Sequence, residues 1–324
     1  KNDKIDSKGI AKLGLSKDIP VSQFPAKLVL ELRSLTRKYY DLTDERSAHI
    51  NKLKGDLHTV FPQYLDVFCD VTGKTSTMIL RQYGTPDKIL RGHKKTMIEK
   101  ISKASRKGLA KASERYEKLC AAANAAKTFG CQIDSIYFNI FLTLDLVEKL
   151  DSALDSILNR IRQLITFNKN EKFIQQIKLL NTIPGVGFLT AVTIMCEIGD
   201  FSAFRNPKQL FAYFGLDPEV NESGKFVGTQ LHMSKRGSRI ARRAIFAVAL
   251  ASIRTKRNGE GINPYLRKYY ELKSGQKPKM VAIGAVMHKV CNIVFAVLRD
   301  EKAFELRSPE EHCKQYQRPA LAAA

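Results

Sequence analysis

Residues 27–60 read KLVLELRSLTRKYYDLTDERSAHINKLKGDLHTV, and the spacing of their apolar side chains decides the fold. Leu28, Leu32, Leu35, Tyr39, Leu42, Arg46, His49, Leu53, Asp56 and Val60 recur at alternating steps of four and three. At 3.6 residues per turn those steps keep one face of a helix in register, so a single long helix is predicted over 26–60. Pro25 precedes it and Pro62 follows it, where a helix tolerates proline. The strict heptad also suits coiled-coil pairing, although Arg46, His49 and Asp56 thin the seam towards its end. His49 on that seam reads as a packing residue rather than a metal ligand.

A second stretch of the same kind lies at 136–164, where Ile140, Thr143, Val147, Leu150, Leu154, Ile157, Ile161 and Leu164 repeat the pattern. Two long amphipathic helices flanking an insert point to an antiparallel pair, within one chain or between protomers. The insert carries turn signals at Val71-Thr72-Gly73 and Gly84-Thr85-Pro86, then a basic zone. From Lys88 to Lys111 there are nine Lys or Arg and one acid, Glu99. Met97, Ile98, Ile101 and Leu109 make this a short helix or helix pair. A solvated helix face would explain some of the charge; its density favours contact with nucleic acid.

The whole chain has 324 residues, so two or three folding units are expected. A hydrophobic content of 44% suffices for packed cores, while the net charge of +22 calls for a polyanion partner. DNA or RNA is the first choice and an anionic membrane the competitor. No run approaches a transmembrane length and no signal-peptide pattern opens the chain, which favours a cytoplasmic, nucleoid-associated protein without a membrane partner. The six cysteines are scattered without metal-ligand spacing and read as small packing residues in a reducing compartment.

The third helical region begins near Lys178. Ile183-Pro184-Gly185-Val186-Gly187 leads into Phe188-Leu189-Thr190-Ala191-Val192, a pattern similar to the helix-hairpin-helix motif. There Gly185 and Gly187 would permit a tight turn whose N–H groups meet a phosphate. An ordinary turn between helices is the alternative. Pro207 to Leu216 reads as a short apolar helix closed by Gly215. Next comes Asn221-Glu222-Ser223-Gly224-Lys225-Phe226-Val227-Gly228, and between Ser223 and Arg257 there are nine Lys or Arg and no acid. On its own Ser223 is a polar turn residue. Its basic company, Lys225, Lys235, Arg236, Arg239, Arg242 and Arg243, places it where a phosphate would lie. Arg239, Arg242 and Arg243 fall at helical spacing, so a stripe of guanidiniums on one side of the helix is predicted to grip the backbone. Asn258 to Gly261 reads as a loop, and two further helices follow at 265–272 and 279–298.

Asp3 and Asp6 open the chain in Asn2-Asp3-Lys4-Ile5-Asp6. Three apart on a helix, they share a face and suit Mg2+, which prefers oxygen ligands. Acids complementing a helix N-terminus is the alternative. The chain starts at Lys1 already inside a charged helical pattern, so it reads as the middle of a longer protein.

Taken in order, Asn2-Asp3-Lys4-Ile5-Asp6, the Ile183–Gly187 turn, Phe211-Ala212-Tyr213-Phe214-Gly215-Leu216, Glu222-Ser223-Gly224 and Met233-Ser234-Lys235-Arg236-Gly237 resemble the insertion-sequence one-ten transposases. These are also called bridge-RNA-guided recombinases, and related DNA invertases share the layout. The resemblance implies an RNase-H-like (RuvC-like) domain with four Mg2+-binding acids, a coiled-coil region and a helical transposase domain. It further implies that a serine attacks the DNA phosphodiester, and Ser223 is the matching position. Asp3 and Asp6 match the last two acids; the first two should precede Lys1.

The expected architecture is therefore all-α. A RuvC-like remnant occupies 1–25, a coiled-coil linker with a basic insert 26–177, the transposase domain 178–306 and a tail 307–324. The expected partners are insertion-sequence and target DNA, a structured guide RNA and further copies in a homodimer or tetramer. Two other readings stand beside this one. A tyrosine recombinase would want a His-x-x-Arg box; the nearest residues are His232 and Lys235, with Tyr265, Tyr269 and Tyr270 downstream. A non-catalytic nucleic-acid-binding module would need only the basic zones and the hairpin turn.

Overall fold

The computed structural model describes residues 3–15, 25–169, 171–219, 222–223, 226–227, 233–308 and 310–311. Lys225, His232, Cys313 and most of the expected tail lie outside the described residues, as do the side chains of Asp3, Asp6 and Ser223. The described fold is α-helical, with one minimal hairpin in which Glu222–Ser223 (β1) pairs with Phe226–Val227 (β2). Two compact units divide the chain: residues 34–174, and residues 1–33 together with 175–324.

In chain order, α1 spans Asp3–Gly14 and α2 spans Lys27–Val60. The predicted seam of α2 is real: Leu32, Leu42, Leu53 and Val60 are buried, and the polar members Arg46, His49 and Asp56 are half-buried. The insert then folds as five helices, α3 (Tyr64–Val67), α4 (Lys74–Gln82), α5 (Pro86–Arg91), α6 (Lys94–Ser105) and α7 (Leu109–Phe129). The second heptad stretch is α8, Asp134–Phe167, with Ile140, Thr143, Val147, Leu154, Ile161 and Leu164 buried.

Within residues 34–174 the core runs from the end of α2 through the insert into the start of α8. The Tyr64 ring lies 5.1 Å from that of Phe61 and 5.0 Å from that of Phe68, tilted against each rather than stacked flat. Tyr64 is completely buried and its hydroxyl meets Ser76 at O and Oγ, 3.1 and 3.0 Å away. Burial raises that phenol's pKa, because the ionised form would be stranded among apolar side chains. Helix α5 starts with Thr85 capping the Lys88 N–H and Pro86 in the first turn.

Residues 175–324 form a second helical body. After α9 (Lys172–Leu180) come α10 (Phe188–Ile198), α11 (Pro207–Tyr213), the hairpin, α12 (Arg239–Ser252), α13 (Pro264–Ser274) and α14 (Lys279–Asp300). Asn206 and Asn263 cap α11 and α13 ahead of a proline, repeating the device at α5. Residues 188–198 of α10 are apolar almost throughout, and from Ala191 onward all are buried. One sequence reading needs correcting here. Helix α14 is apolar enough over 22 residues to cross a membrane, with a mean hydropathy of 2.0 across its best window. Its polar residues, such as His288 and Asn292, are too few to lower that average. A long apolar face serves packing instead: Ala282, Val286, Val290, Val294 and Phe295 are buried within this body.

Candidate functional site

The site begins where two distant stretches cross backbone to backbone. Helix α11 ends at Tyr213, and Gly215 takes a left-handed φ of +66°. A Cβ on Gly215 would lie 2.5 Å from Gly237 N and 2.7 Å from Arg236 N. A Cβ on Gly237 would in turn lie 1.9 Å from Tyr213 O. Neither position has room for a side chain, so the two glycines permit one crossing. It is then stitched by hydrogen bonds. Lys235 N donates to Gly215 O at 3.1 Å and Ser234 N to Asp217 O at 2.8 Å. The Ser234 hydroxyl donates to Asp217 Oδ1 at 2.6 Å, and Pro218 bridges Met233 in antiparallel sense.

Beyond this base the chain leaves at Pro218 and returns at Met233, carrying the hairpin between. In its ladder Glu222 faces Val227 and Ser223 faces Phe226, so only Gly224 and Lys225 connect the two strands. Ser223 is thus the last paired residue of β1, in a segment, here called the arm, whose root is the Pro218–Met233 bridge and the glycine crossing. Lys235 and Arg236 are exposed at that root, Lys235 in a left-handed φ of +55° that costs about 1–2 kcal/mol outside glycine.

Helix α12 supplies the lock. Ser238 caps it, accepting from Ala241 N at 3.1 Å, and donates its own proton to Glu197 Oε2 at 2.7 Å. Glu197 is only 3% exposed, an acid at the buried end of α10. The predicted arginine stripe is split. Arg242 Nη1 lies 3.2, 3.1 and 2.8 Å from the carbonyl oxygens of Phe214, Lys235 and Gly237, donating inward to both crossing segments. Desolvation lowers its pKa, though a guanidinium stays charged throughout the ordinary range. Arg242 therefore fastens the root of the arm, while Arg239 is exposed and Arg243 half-buried on the same helix.

The Ile183–Gly187 turn lies at the other end of α12. Gly185 has φ +95°, and a Cβ there would meet Ser252 Oγ at 2.6 Å. Ser252 Oγ donates to Pro184 O at 3.0 Å. Gly187 precedes α10 without a side-chain cap, and a Cβ on it would meet nothing within 4 Å. Gly185 is thus turned into the helix packing and Gly187 is open. At the chain's start, α1 places Asp3 and Asp6 on one helical face. Among the described residues no cluster of three or more metal-capable side chains occurs.

Asp217, Ser234, Glu197 and the steric role of Gly215 and Gly237 were not singled out from the sequence. The signal was present in part, since both glycines belong to the short blocks quoted above. Nothing local says that one block lies across the other.

In the other unit, the basic zone folds into α5, α6 and the start of α7. Lys88, Arg91, Lys95, Lys103, Arg106, Lys107 and Lys111 are all exposed. Lys94, also exposed, and Lys100, half-buried, lie over the rings of Tyr116 and Tyr83, 5.8 and 5.7 Å from their centres.

Comparison with known proteins adds two family matches. Residues 177–271 match the family described as Transposase IS116/IS110/IS902 family, and residues 1–62 match a DEDD-type model described as Transposase. The chain is similar to the insertion element IS110 uncharacterized 43.6 kDa protein of Streptomyces coelicolor, with 23% identity over 286 residues, 87% of this chain and 66% of that protein. It is 30% identical over 177 residues to the pilin gene-inverting protein of Moraxella bovis, across 54% of this chain and 52% of that protein. It is 26% identical over 188 residues to the transposase for insertion sequence element IS1111A of Coxiella burnetii, across 56% of this chain and 50% of that protein. The chain spans between half and two thirds of the length of these relatives.

Proposed function

We propose, for a chain that belongs to the IS116/IS110/IS902 transposase family, that it takes part in cutting and rejoining DNA strands with Ser223 as the nucleophile. The observation that carries this reading is the rooted arm. A serine that must reach a phosphodiester needs a firmly held base beneath it, and the Gly215–Gly237 crossing fastened by Arg242 supports that reading. The proposed DNA substrate agrees with the relatives named for transposition and for inversion of a pilin gene.

In the proposed step Ser223 Oγ forms a bond to phosphorus, and the bond from phosphorus to the leaving sugar oxygen breaks. The serine proton passes to a base, and the departing oxygen takes up a proton to become a hydroxyl. One phosphoester replaces another, so the covalent phosphoserine keeps the bond energy needed for rejoining without an external source. Lys235 and Arg236, exposed at the root of the arm, would hold the phosphate and balance its developing charge. Lys225, two residues beyond Ser223 in sequence, and Arg239 and Arg243 on α12 would extend that grip along the strand. Gly187 presents an uncapped helix start to a neighbouring phosphate; Gly185 shapes the turn.

The carboxylates of Asp3 and Asp6 are hard oxygen donors three residues apart on α1, a fitting part of a Mg2+ site. When bound, Mg2+ would supply positive charge against the phosphate and help activate the nucleophile. The exposed cations of α5–α7 offer a second polyanion surface, suited to a structured guide RNA or to flanking DNA. The paired long helices offer the surface through which a coiled-coil homodimer or tetramer would assemble, in the cytoplasm at the nucleoid.

The test is covalent capture. The chain, alone and with the segment that precedes it in the family supplied, is incubated with element-end DNA, candidate RNA and Mg2+. A denaturing gel should show a protein–DNA band that is lost in Ser223→Ala and kept in Tyr265→Phe. Tight binding without an adduct in any mixture would leave a nucleic-acid-binding module and end the serine reading.

A further inference from the structure

The hairpin of α13 and α14 ends in a tip that the proposed chemistry does not use. Leu272 in the last turn of α13 is 62% exposed, and Met280 and Val281 in the first turn of α14 are 65% and 52% exposed. One exposed apolar residue needs no explanation, but three around one turn form a patch. From Leu272 to Lys289 there is no Asp or Glu, while Lys273, Lys277, Lys279 and Lys289 all fall in that span. Lys277 and Lys279 are exposed beside the apolar three. Lys273 and Lys289 flank the Tyr269 ring, with Nζ 5.7 and 5.4 Å from its centre, which keeps positive charge along the side of the hairpin. The nearest carboxylate in sequence, Glu271, is engaged by Arg267 at 2.8 Å.

We infer that this tip is a wedge for duplex nucleic acid. Leu272, Met280 and Val281 press against a base step from the minor groove, and Lys277 and Lys279 meet the phosphates on either side. Apolar side chains flanked by cations are the composition with which proteins unstack and bend a duplex. A second copy of this chain is the poorer occupant, because two such tips would bring lysines against lysines on a chain of net charge +22. Pro278 just ahead of α14 and the helical body behind the tip keep the wedge stiff, as unstacking requires. Bending brings a substrate towards the rest of a basic protein, so the inference extends the recombination reading without depending on Ser223.

Two multiple variants of the full chain separate the contributions, with the altered side chains all on the surface. Binding to a short duplex carrying a fluorescent adenine analogue is followed across a salt series. In Lys277→Gln with Lys279→Gln, the slope of log affinity against log salt should fall by about 2. In Leu272→Ala with Met280→Ala and Val281→Ala, affinity should drop on the order of tenfold at every salt concentration, with the slope unchanged. The fluorescence rise that reports unstacking should vanish in that variant. Equal affinity and an equal fluorescence rise in the apolar variant would overturn the inference. So would a parent chain that gives no rise, or an apolar variant changed only in its assembly mass, which would make the tip a protein interface. Ser223→Ala should bend the duplex as the parent does, so failure of the serine reading leaves this result standing.

Discussion

Arg46 and Asp151 form a two-pronged ion pair, Nε to Oδ1 and Nη2 to Oδ2, the second at 3.2 Å. The Tyr137 hydroxyl lies 3.4 Å from Val60 O, and Tyr137 stands as far back from Asp151 along α8 as Val60 stands forward of Arg46 along α2. Two contacts at one register make α2 and α8 antiparallel neighbours within a single chain. The sequence left open whether that pairing was within a chain or between copies. Here the connection through α7 closes it, with Cys131 N donating to Thr59 O and Gly130 set against Val60 O, where a Cβ would lie 2.6 Å away.

The ion pair is partly exposed, with side-chain exposures of 29% and 47%, so solvent discounts its worth to about 0.5–1 kcal/mol. Arg46→Glu should lower the unfolding free energy by slightly more, since two carboxylates then face each other. Adding Asp151→Arg should recover most of the loss. Denaturant titration of the four-member cycle measures the coupling, and no recovery in the double variant would remove the pair from the account of the register.

Gly185 and Gly187 should behave differently although they are two residues apart. Gly185→Ala combines a positive φ with a clash at Ser252 Oγ and should destabilise the 175–324 body by about 2–4 kcal/mol. Gly187→Ala meets no neighbouring atom and should cost about 1 kcal/mol, through the weaker N-cap. Thermal unfolding of both variants checks the difference. Equal losses would show that the turn is not pressed against α12.

Arg242→Ala should release three carbonyls and lower the stability of the same body by about 2–3 kcal/mol. Arg236→Gln, at an exposed site, should leave stability within about 0.5 kcal/mol and reduce the salt slope of DNA binding by about 1. Melting curves beside a salt series distinguish a fastening arginine from a phosphate-binding one. The opposite pattern would return Arg242 to the DNA-gripping stripe.

Alkaline pH should weaken the 175–324 body from within. Burial pushes the Cys196 thiol from 9.0 to about 12, with the Arg33 guanidinium opposing, and burial raises Cys291 as well. The folded state then holds protons that the unfolded state has lost. Stability contributed by each thiol is complete below pH 9 and falls as pH rises towards 12, by about 1.4 kcal/mol per pH unit for each group. Denaturant midpoints measured upward from pH 8 should fall more steeply in the parent than in Cys196→Ala. An unchanged slope would mean that Cys196 is accessible in the fold.

The helices themselves follow from local rules. The three-and-four spacing of Leu32, Leu42, Leu53 and Val60 puts them on one face whatever surrounds them, and Asn206-Pro207 or Asn263-Pro264 begins a helix by capping it. The charge of +22 with the Ser223 to Arg257 run pointed to a polyanion partner and to a candidate site within that run. Periodicity also set Arg239, Arg242 and Arg243 on one side of α12, but it could not say which of them would turn inward. That choice belongs to the tertiary structure, because Arg242 finds carbonyl oxygens only where Gly215 and Gly237 let two backbones touch. Residues some twenty positions apart meet there through chain geometry summed over everything between them. No local pattern encodes that sum, and only the tertiary structure shows the two backbones crossing at Gly215 and Gly237.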